Sequence, residues 1–370
     1  MPQGQMPQGQ TPQMGFPPAM DMARLQGFMN RIMNDLSGAV ASIMCAIGDR
    51  LGLFKSLAIA GPATSEDLAA RAGIKERYAR EWLYAMTSAG YVTYDPVTKQ
   101  FTLPQEHAMA LAWEGGPMFM GGVYQHLPGL FRPLDHVIEA FIKGGGVSQA
   151  AFDDDFREGM ERISAGWFEN FLVSEWISAL PGVKEKLERG ARAADIGCGG
   201  GRALIKMARE FPASTFVGYD IFKPALDRAV VNARQAGVAD RVSFEQVDAA
   251  EGLPEQFDLI TTFDVIHDIA NPLQVLREIR KALRPDGTFL MLEIRCSDRI
   301  EENLGPAATM LYGTSVLYCT PTSIANGGEG LGTMGMPESK IRDLCAKAGF
   351  SNVRQLPIEN PFNSVYEIRP

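Results

Sequence analysis

The stretch RAADIGCGGGRALIKMAREF, residues 192–211, decides the fold. RAADIG is a short apolar strand that runs into the turn Gly197-Cys198-Gly199-Gly200-Gly201, and ALIKMAREF then takes up helical spacing. Glycines at a strand-to-helix turn let the backbone approach a nucleotide-like ligand closely. The dinucleotide fingerprint G-x-G-x-x-G needs Gly or Ala at position 202, where Arg202 stands. The pattern that fits is D-x-G-x-G-x-G, made by Asp195, Gly197, Gly199 and Gly201.

An anionic residue just before the turn repels pyrophosphate and suits a cationic ligand that carries an amino group. S-adenosylmethionine has both an ammonium and a sulfonium. Three further strand ends fall where that cofactor needs them. STFVGYDIF (214–222) ends in Asp220, nineteen residues after Gly201, where a carboxylate can accept both ribose hydroxyls. RVSFEQVDAAEGLP (241–254) ends in Asp248, which can take the adenine amino group while the Ala249 backbone reads the ring. FDLITTF (257–263) leads into DVIHDIANP (264–272). Strands alternating with helices in this way mark an α/β domain with a parallel sheet.

Upstream, the pattern differs. Leu36 to Leu57 has Val40, Ile43, Met44, Ile47, Leu51 and Phe54 at three- and four-residue steps, which predicts one amphipathic helix. Thr64-Ser65-Glu66-Asp67 signals a helix start and Gly73 its stop; a third helix follows over about 75–88. AGYVTYDPVTKQFTLP then gives two short strands around Asp95-Pro96. That order is a winged helix. Between Asp21 and Ala110, nine basic residues are balanced by nine acidic ones, so phosphate attraction is weak despite Lys75, Arg77 and Arg80 on the would-be recognition helix. Dimerisation or a substrate lid is the expected role, with the apolar first helix packing on a second copy. Residues 116–185 read as connecting helices, broken at Gly144-Gly145-Gly146 and strongly apolar around Trp167, Phe168, Phe171, Leu172 and Trp176. The expected organisation is a tail over 1–20, a winged-helix dimerisation domain over 21–115, connecting helices and lid over 116–185, and a cofactor-binding domain over 186–370.

Composition sets the outer bounds. At 370 residues with 46% hydrophobic and 21% charged, the chain is not mostly disordered. A net charge of −9 gives no general reason to seek nucleic acid or an anionic membrane. The first twenty residues hold five Pro, five Gln, four Met and three Gly without charge or periodicity, and read as a disordered tail. The first basic residue is Arg24, so no secretory signal is expected. Five scattered cysteines without a CxxC pair suggest reduced thiols in a cytoplasmic protein and neither a disulfide frame nor a zinc site. No metal is expected.

Taken together, DIGCGGGR, YDIF, QVDAA and FDLITTFDVIHDIANP resemble the motifs of the class I S-adenosylmethionine-dependent methyltransferases. LRPDGTFLMLEI resembles their fifth strand, and VRQLPIENPFNSVYEIRP their closing antiparallel pair. The whole chain looks like a bacterial family of winged-helix methyltransferases whose members share the GGEGLGTM and NPFNSVYEIR stretches. In layout it is also similar to small-molecule O-methyltransferases. The resemblance implies a Rossmann-like sheet behind an N-terminal helical, winged-helix domain, with Ile221 beside Asp220 and Phe263 at the end of the fourth strand joining the cofactor-binding set. It implies a general base at His267, in VIHDI, to deprotonate a hydroxyl for in-line displacement. Where those enzymes follow HD with Trp, this chain has Ile269. Asp268 is expected to point away and cap the next helix, and Glu293, ending the fifth strand, to orient His267 or the substrate. Tyr124, His126, Tyr312 and Tyr318 are the polar candidates for an otherwise apolar substrate pocket. The expected activity is methyl transfer to the oxygen or sulfur of a small acceptor by a homodimer. The alternative is a ligand-sensing winged-helix DNA-binding regulator that keeps the cofactor domain.

Overall fold

The computed structural model describes residues 20–370; the expected tail, apart from Met20, lies outside the described residues. The chain opens with helices α1 (Met22–Arg50), α2 (Leu53–Ala60), α3 (Ser65–Ala72) and α4 (Glu76–Ser88), then the hairpin β1 (Thr93–Asp95) and β2 (Gln100–Thr102). Local chemistry sets these boundaries. Thr64 accepts a hydrogen bond from the Asp67 amide while the Asp67 carboxylate accepts one from the Thr64 amide, and Gly73 closes α3 in the left-handed region.

The first helix departs from its sequence reading. It starts earlier, capped by Asp21, and breaks at Leu51-Gly52, where Gly52 takes a φ of 67°, so Phe54 belongs to α2. Its inward face is made of small residues, Ala41, Cys45, Ala46 and Gly48. A Cβ on Gly48 would lie 2.6 Å from the Trp82 ring, so only small residues permit this approach. The large periodic residues Val40, Ile43, Ile47 and Leu51 are exposed, in line with Met22, Phe28, Met29, Met33 and Leu36. On α4, Arg77 pairs with Glu81 and Arg80 binds Glu76 through two nitrogens, so its guanidinium charges are matched within the helix.

Helices α5 (Gln105–Leu111), α6 (Gly121–Phe131), α7 (Leu134–Lys143) and α8 (Asp154–Trp167) follow, and α8 continues as a π-helical segment over Phe168–Ile177. Glycines let α6 and α8 nearly touch: a Cβ on Gly122 would meet the Gly159 carbonyl at 2.6 Å. From α8, the Arg162 guanidinium donates to Asp49 (2.8 and 3.1 Å), Glu114 (2.8 Å) and Gln125 (2.6 Å), tying this helix to the end of α1. Gly146 leaves no room for a Cβ against Pro321 and Ala325, and the Val147 amide donates to the Pro321 carbonyl at 3.0 Å.

After α9 (Val183–Arg189) comes the sheet, formed by β3 (Arg192–Ile196), β4 (Thr215–Asp220), β5 (Val242–Gln246), β6 (Phe257–Phe263), β7 (Leu283–Ile294), β8 (Asn352–Gln355) and β9 (Asn363–Arg369). Its order is β5-β4-β3-β6-β7-β9-β8, with parallel pairing from β5 to β7 and antiparallel pairing of β9 to β7 and β8. The connecting helices are α10 (Arg202–Glu210), α11 (Lys223–Gln235), α12 (Pro272–Ala282), α13 (Pro306–Thr314), α14 (Thr320–Ala325) and α15 (Glu338–Ala348). Alternate strand residues feed two cores: Ala193, Leu259 and Leu290 join one, and Ala194, Ile260 and Met291 the other. Burial on both faces is why these strands read as unbroken apolar runs.

Trp82 is 4% exposed, stacks edge-on to Phe54 at 5.0 Å and donates Nε1–H to the Met44 carbonyl at 2.8 Å. Trp82→Ala should cost about 3–5 kcal/mol of N-terminal stability, measured as a lower urea midpoint of helical circular dichroism.

Candidate active site

The first turn of the sheet is built as its glycines dictate. Gly197, Gly199 and Gly201 have φ of 69°, 50° and 73°, all in the left-handed region. The Gly197 and Cys198 amides donate to the Tyr219 carbonyl at 2.8 and 3.1 Å, hanging the turn on β4. A Cβ on Gly197 would press on Val265 at 2.6 Å and one on Gly201 on Phe244 at 2.6 Å, whereas one on Gly199 would meet nothing within 4 Å. Gly199 therefore faces open space.

That space is a cavity of about 1030 Å³ at the carboxyl ends of the parallel strands. Asp195, Gly197, Gly199, Asp220, Ile221, Asp248, Ala249 and Phe263 all line it. Gly201 stands just behind, as the residue that starts α10. Asp195 accepts from the Thr261 hydroxyl at 2.7 Å. Burial pushes its carboxyl up to about 7, opposed by that hydrogen bond and helped by nearby Asp220. Asp220 accepts from the Gly199 and Phe222 amides at 3.0 and 2.8 Å; burial raises its carboxyl as well, against the pull of these amides. Asp248 closes a turn by accepting from the Ala250 amide at 2.9 Å.

Beside this turn, His267 and Glu293 form a buried pair. His267 Nδ1–H donates to Glu293 Oε2 at 2.7 Å, and the other carboxylate oxygen accepts from the Ile266 amide at 2.8 Å. Glu293 is 0% exposed, so it orients the histidine from inside the fold. Asp268 departs from its expected place. Its Oδ1 lies 3.4 Å from His267 Nε2, and the next helix is capped by Asn271, which accepts from the Gln274 amide. The turn closed by the Asp268 amide on the Val265 carbonyl swings the carboxylate back over the histidine. Asp268 lines the cavity, whereas His267 sits behind it. Burial opposes charge on His267, yet Asp268 and Glu293 together hold its pKa well above the ordinary histidine value.

Of the tyrosines and histidine expected in the pocket, only Tyr318 lines the cavity, packed on Phe152 and Phe156 at 4.8 Å each. His126 is buried against Phe156. Tyr124 turns instead to the N-terminal core, its hydroxyl 3.4 Å from that of Tyr91, and Tyr312 accepts from Asn303.

Two acids on the cavity wall have no counterpart in the sequence reading. Glu161, from α8, stands over Gly200 and pairs with Arg228 at 3.2 Å and Arg202 at 3.6 Å. Asp264 takes a φ of 56°, which Asp tolerates better than most residues, and accepts from Asn363 at 2.6 Å. Asn363 and Asn360 belong to the NPFN stretch, whose purpose is thereby physical: Asn360 accepts from the Phe362 and Asn363 amides and aims Asn363 at Asp264. Burial, with Glu293 close by, raises the Asp264 carboxyl to about 7.

Residues 187–327 match the methyltransferase-domain family, and residues 39–113 match the Rv2258c-like winged HTH domain. The ubiquinone biosynthesis O-methyltransferase of Aeromonas salmonicida is 28% identical over 191 residues, which are 47% of this chain and 70% of that protein. The chain spans about half the length of other curated ubiquinone biosynthesis O-methyltransferases that it matches. Among solved structures, mitomycin 7-O-methyltransferase MmcR superposes with a TM-score of 0.68 at 22% identity, over 94% of this chain and 99% of that one. Human N-acetylserotonin methyltransferase, solved in complex with SAM, gives 0.70 at 17% identity, over 96% and 99%. At these identities the likeness to the solved structures is one of fold.

Fold and cavity define a class I methyltransferase, whose cofactor is S-adenosylmethionine. The chain carries that methyltransferase domain together with an Rv2258c-like winged HTH domain. The residues fit the cofactor: the open approach at Gly199 admits it, and buried Asp195 lacks the counter-charge that a ligand ammonium supplies.

The raised carboxyls set a pH dependence. Asp195 and Asp264 ionise near 4 in the unfolded chain but near 7 in the folded one, so folding takes up protons and stability falls as pH rises from about 4 to 7. Asp195→Asn should flatten its share of that slope, read from denaturation at pH 4.5 and 7.5. Cofactor affinity should tighten up to about tenfold per pH unit as Asp195 ionises, and calorimetry on Asp195→Asn should find it weak and flat.

Proposed function

We propose that this protein is an S-adenosylmethionine-dependent O-methyltransferase for the hydroxyl of a small, weakly charged acceptor, with His267 as general base and Glu293 as its positioning residue. The observation that carries this reading is the buried His267–Glu293 hydrogen bond of 2.7 Å directly behind the cavity wall that the glycine turn also forms. The O-methyltransferase relatives support oxygen as the acceptor atom.

Asp195 would hold the amino group of the cofactor, with the backbone of Gly197, Gly199 and Gly201 shaping the close approach. Asp220 would accept from the ribose hydroxyls, Asp248 and the Ala249 amide would read the adenine, and Ile221 and Phe263 would flank it. When bound, the cofactor supplies a sulfonium methyl open to in-line attack.

The rest falls to the protein. Glu293 fixes the Nδ1–H tautomer and so leaves the basic lone pair on Nε2. The acceptor hydroxyl meets Asp268 first, and its proton passes to Nε2, where Glu293 stabilises the imidazolium. Tyr318 contacts the acceptor on the cavity wall. We also propose that the enzyme works in the cytoplasm as a homodimer through the exposed apolar face of α1, with residues 21–115 as the dimerisation unit, 116–185 as the lid and 186–370 as the catalytic unit. Among the described residues no helix is long and apolar enough to cross a membrane. Nucleic acid is not a partner in this reading.

Release of S-adenosylhomocysteine from labelled cofactor, across phenols, alcohols and thiols, tests the assignment; turnover confined to thiols would overturn oxygen as the acceptor atom. His267→Ala should lower turnover of a hydroxyl acceptor at least ~10³-fold and leave cofactor affinity within about threefold. Because the carboxylates hold His267 protonated above its ordinary pKa, turnover should rise with pH well past 6.5, and Glu293→Gln should move that rise to lower pH. Val40→Glu on the outer face of α1 should give a monomer by sedimentation.

A further inference from the structure

We infer that His267 Nε2, Asp268 Oδ1 and Cys319 Sγ form a binding site for a divalent ion of the zinc class. The three atoms lie within 4.8 Å of one another. The 3.4 Å between Nε2 and Oδ1 is the edge of a tetrahedron whose centre is about 2.1 Å from each, the distance zinc keeps from imidazole and carboxylate. Nitrogen, oxygen and thiolate donors are a zinc set, and three of them leave a fourth position open.

Independent features point the same way. The Oδ1 atom of Asp268 is buried and makes no hydrogen bond, only the 3.4 Å ion-pair contact with His267 Nε2. Glu293 takes the Nδ1–H of His267, the outer carboxylate contact that accompanies metal-bound histidines and aims the Nε2 lone pair at the ion. Cys319 has an outer contact as well: the Thr333 hydroxyl donates to its Sγ at 2.9 Å, and the Thr333 amide donates to Ser315 Oγ at 3.1 Å. Thr333 lies in the GGEGLGTM stretch, where Gly332 leaves no space for a Cβ beside Ser315. That stretch thus fixes the cysteine on the histidine. A CxxC spacing is beside the point here, because the ligands come from the loop after β6 and the π-helical turn Ser315–Cys319.

Asp268 and Tyr318 line the cavity, so the open position of the ion faces it. Binding displaces to solvent the thiol proton of Cys319 and the Nε2 proton that the flanking carboxylates favour on His267, and forms bonds to sulfur, nitrogen and oxygen without redox change. It occupies the lone pair on Nε2 that proton abstraction needs, so the bound ion inhibits transfer. That consequence rests on the general-base reading; the site itself does not.

The test is titration of metal-free, full-length protein with Co²⁺. One equivalent should bring tetrahedral visible bands and a thiolate-to-cobalt band in the near ultraviolet, both erased by one equivalent of Zn²⁺. Cys319→Ser should lose the near-ultraviolet band, bind Zn²⁺ at least ~100-fold more weakly, keep turnover without metal and resist inhibition by zinc. Asp268→Asn should keep the sulfur band and still bind more weakly. No cobalt spectrum, or equal zinc affinity in Cys319→Ser, would overturn the site. A zinc-loaded protein as active as the metal-free one would overturn the inhibition alone. Metal-free protein inert toward every hydroxyl would instead count against the general base, whatever the spectrum.

Discussion

Two neighbouring side chains on α8 hold the molecule together. Arg162 reaches toward the N-terminal helices, where Asp49, Glu114 and Gln125 surround its guanidinium and Phe119 lies 5.3 Å beneath it. Burial works against that charge, but the two acids more than restore it and its pKa is raised. Glu161, one residue earlier, reaches the other way to Gly200, Arg202 and Arg228 at the cofactor turn. A buried ion pair broken on one side costs more than it contributes when whole, because the remaining charge has no water. α8 therefore fixes the winged-helix region and the glycine turn to one common element.

The sheet and most of its cavity edge were legible because their causes are local. Strands buried on both faces must be apolar throughout, and left-handed turn positions must be glycine, so β3, β6, β7 and Gly197, Gly199 and Gly201 stand out in the chain. Asp195, Asp220 and Asp248 follow by their spacing from those strands. The direction of α1 was not legible. Periodicity reports that a helix has an apolar stripe, not that Gly48 must admit the Trp82 ring and so turn the stripe of large residues outward. The same holds for Asp268, whose orientation depends on one turn, and for Tyr124, which a partner hydroxyl draws into a different core. Cys319 and Asp264 draw meaning only from residues far away in sequence.

The acidity of the chain also acquires a place. Asp195, Asp220, Asp264, Asp268 and Glu293 crowd the strand ends, and burial raises the first four of them. Such a group is unfavourable by itself and favourable around a positive guest. His267 is the cation that the fold supplies, and the remaining carboxyls turn toward the cavity.

The contact of Gly146 and Val147 with Pro321 and Ala325 has a mechanical consequence. The segment after α7 and the helix α14 are latched edge to edge, backbone on backbone, with no side chain that could slide between them. The two segments are thereby held to one another as a single unit, the second of them directly after Tyr318 in the chain. A bulkier residue at 146 would act as a wedge between the two segments and part them.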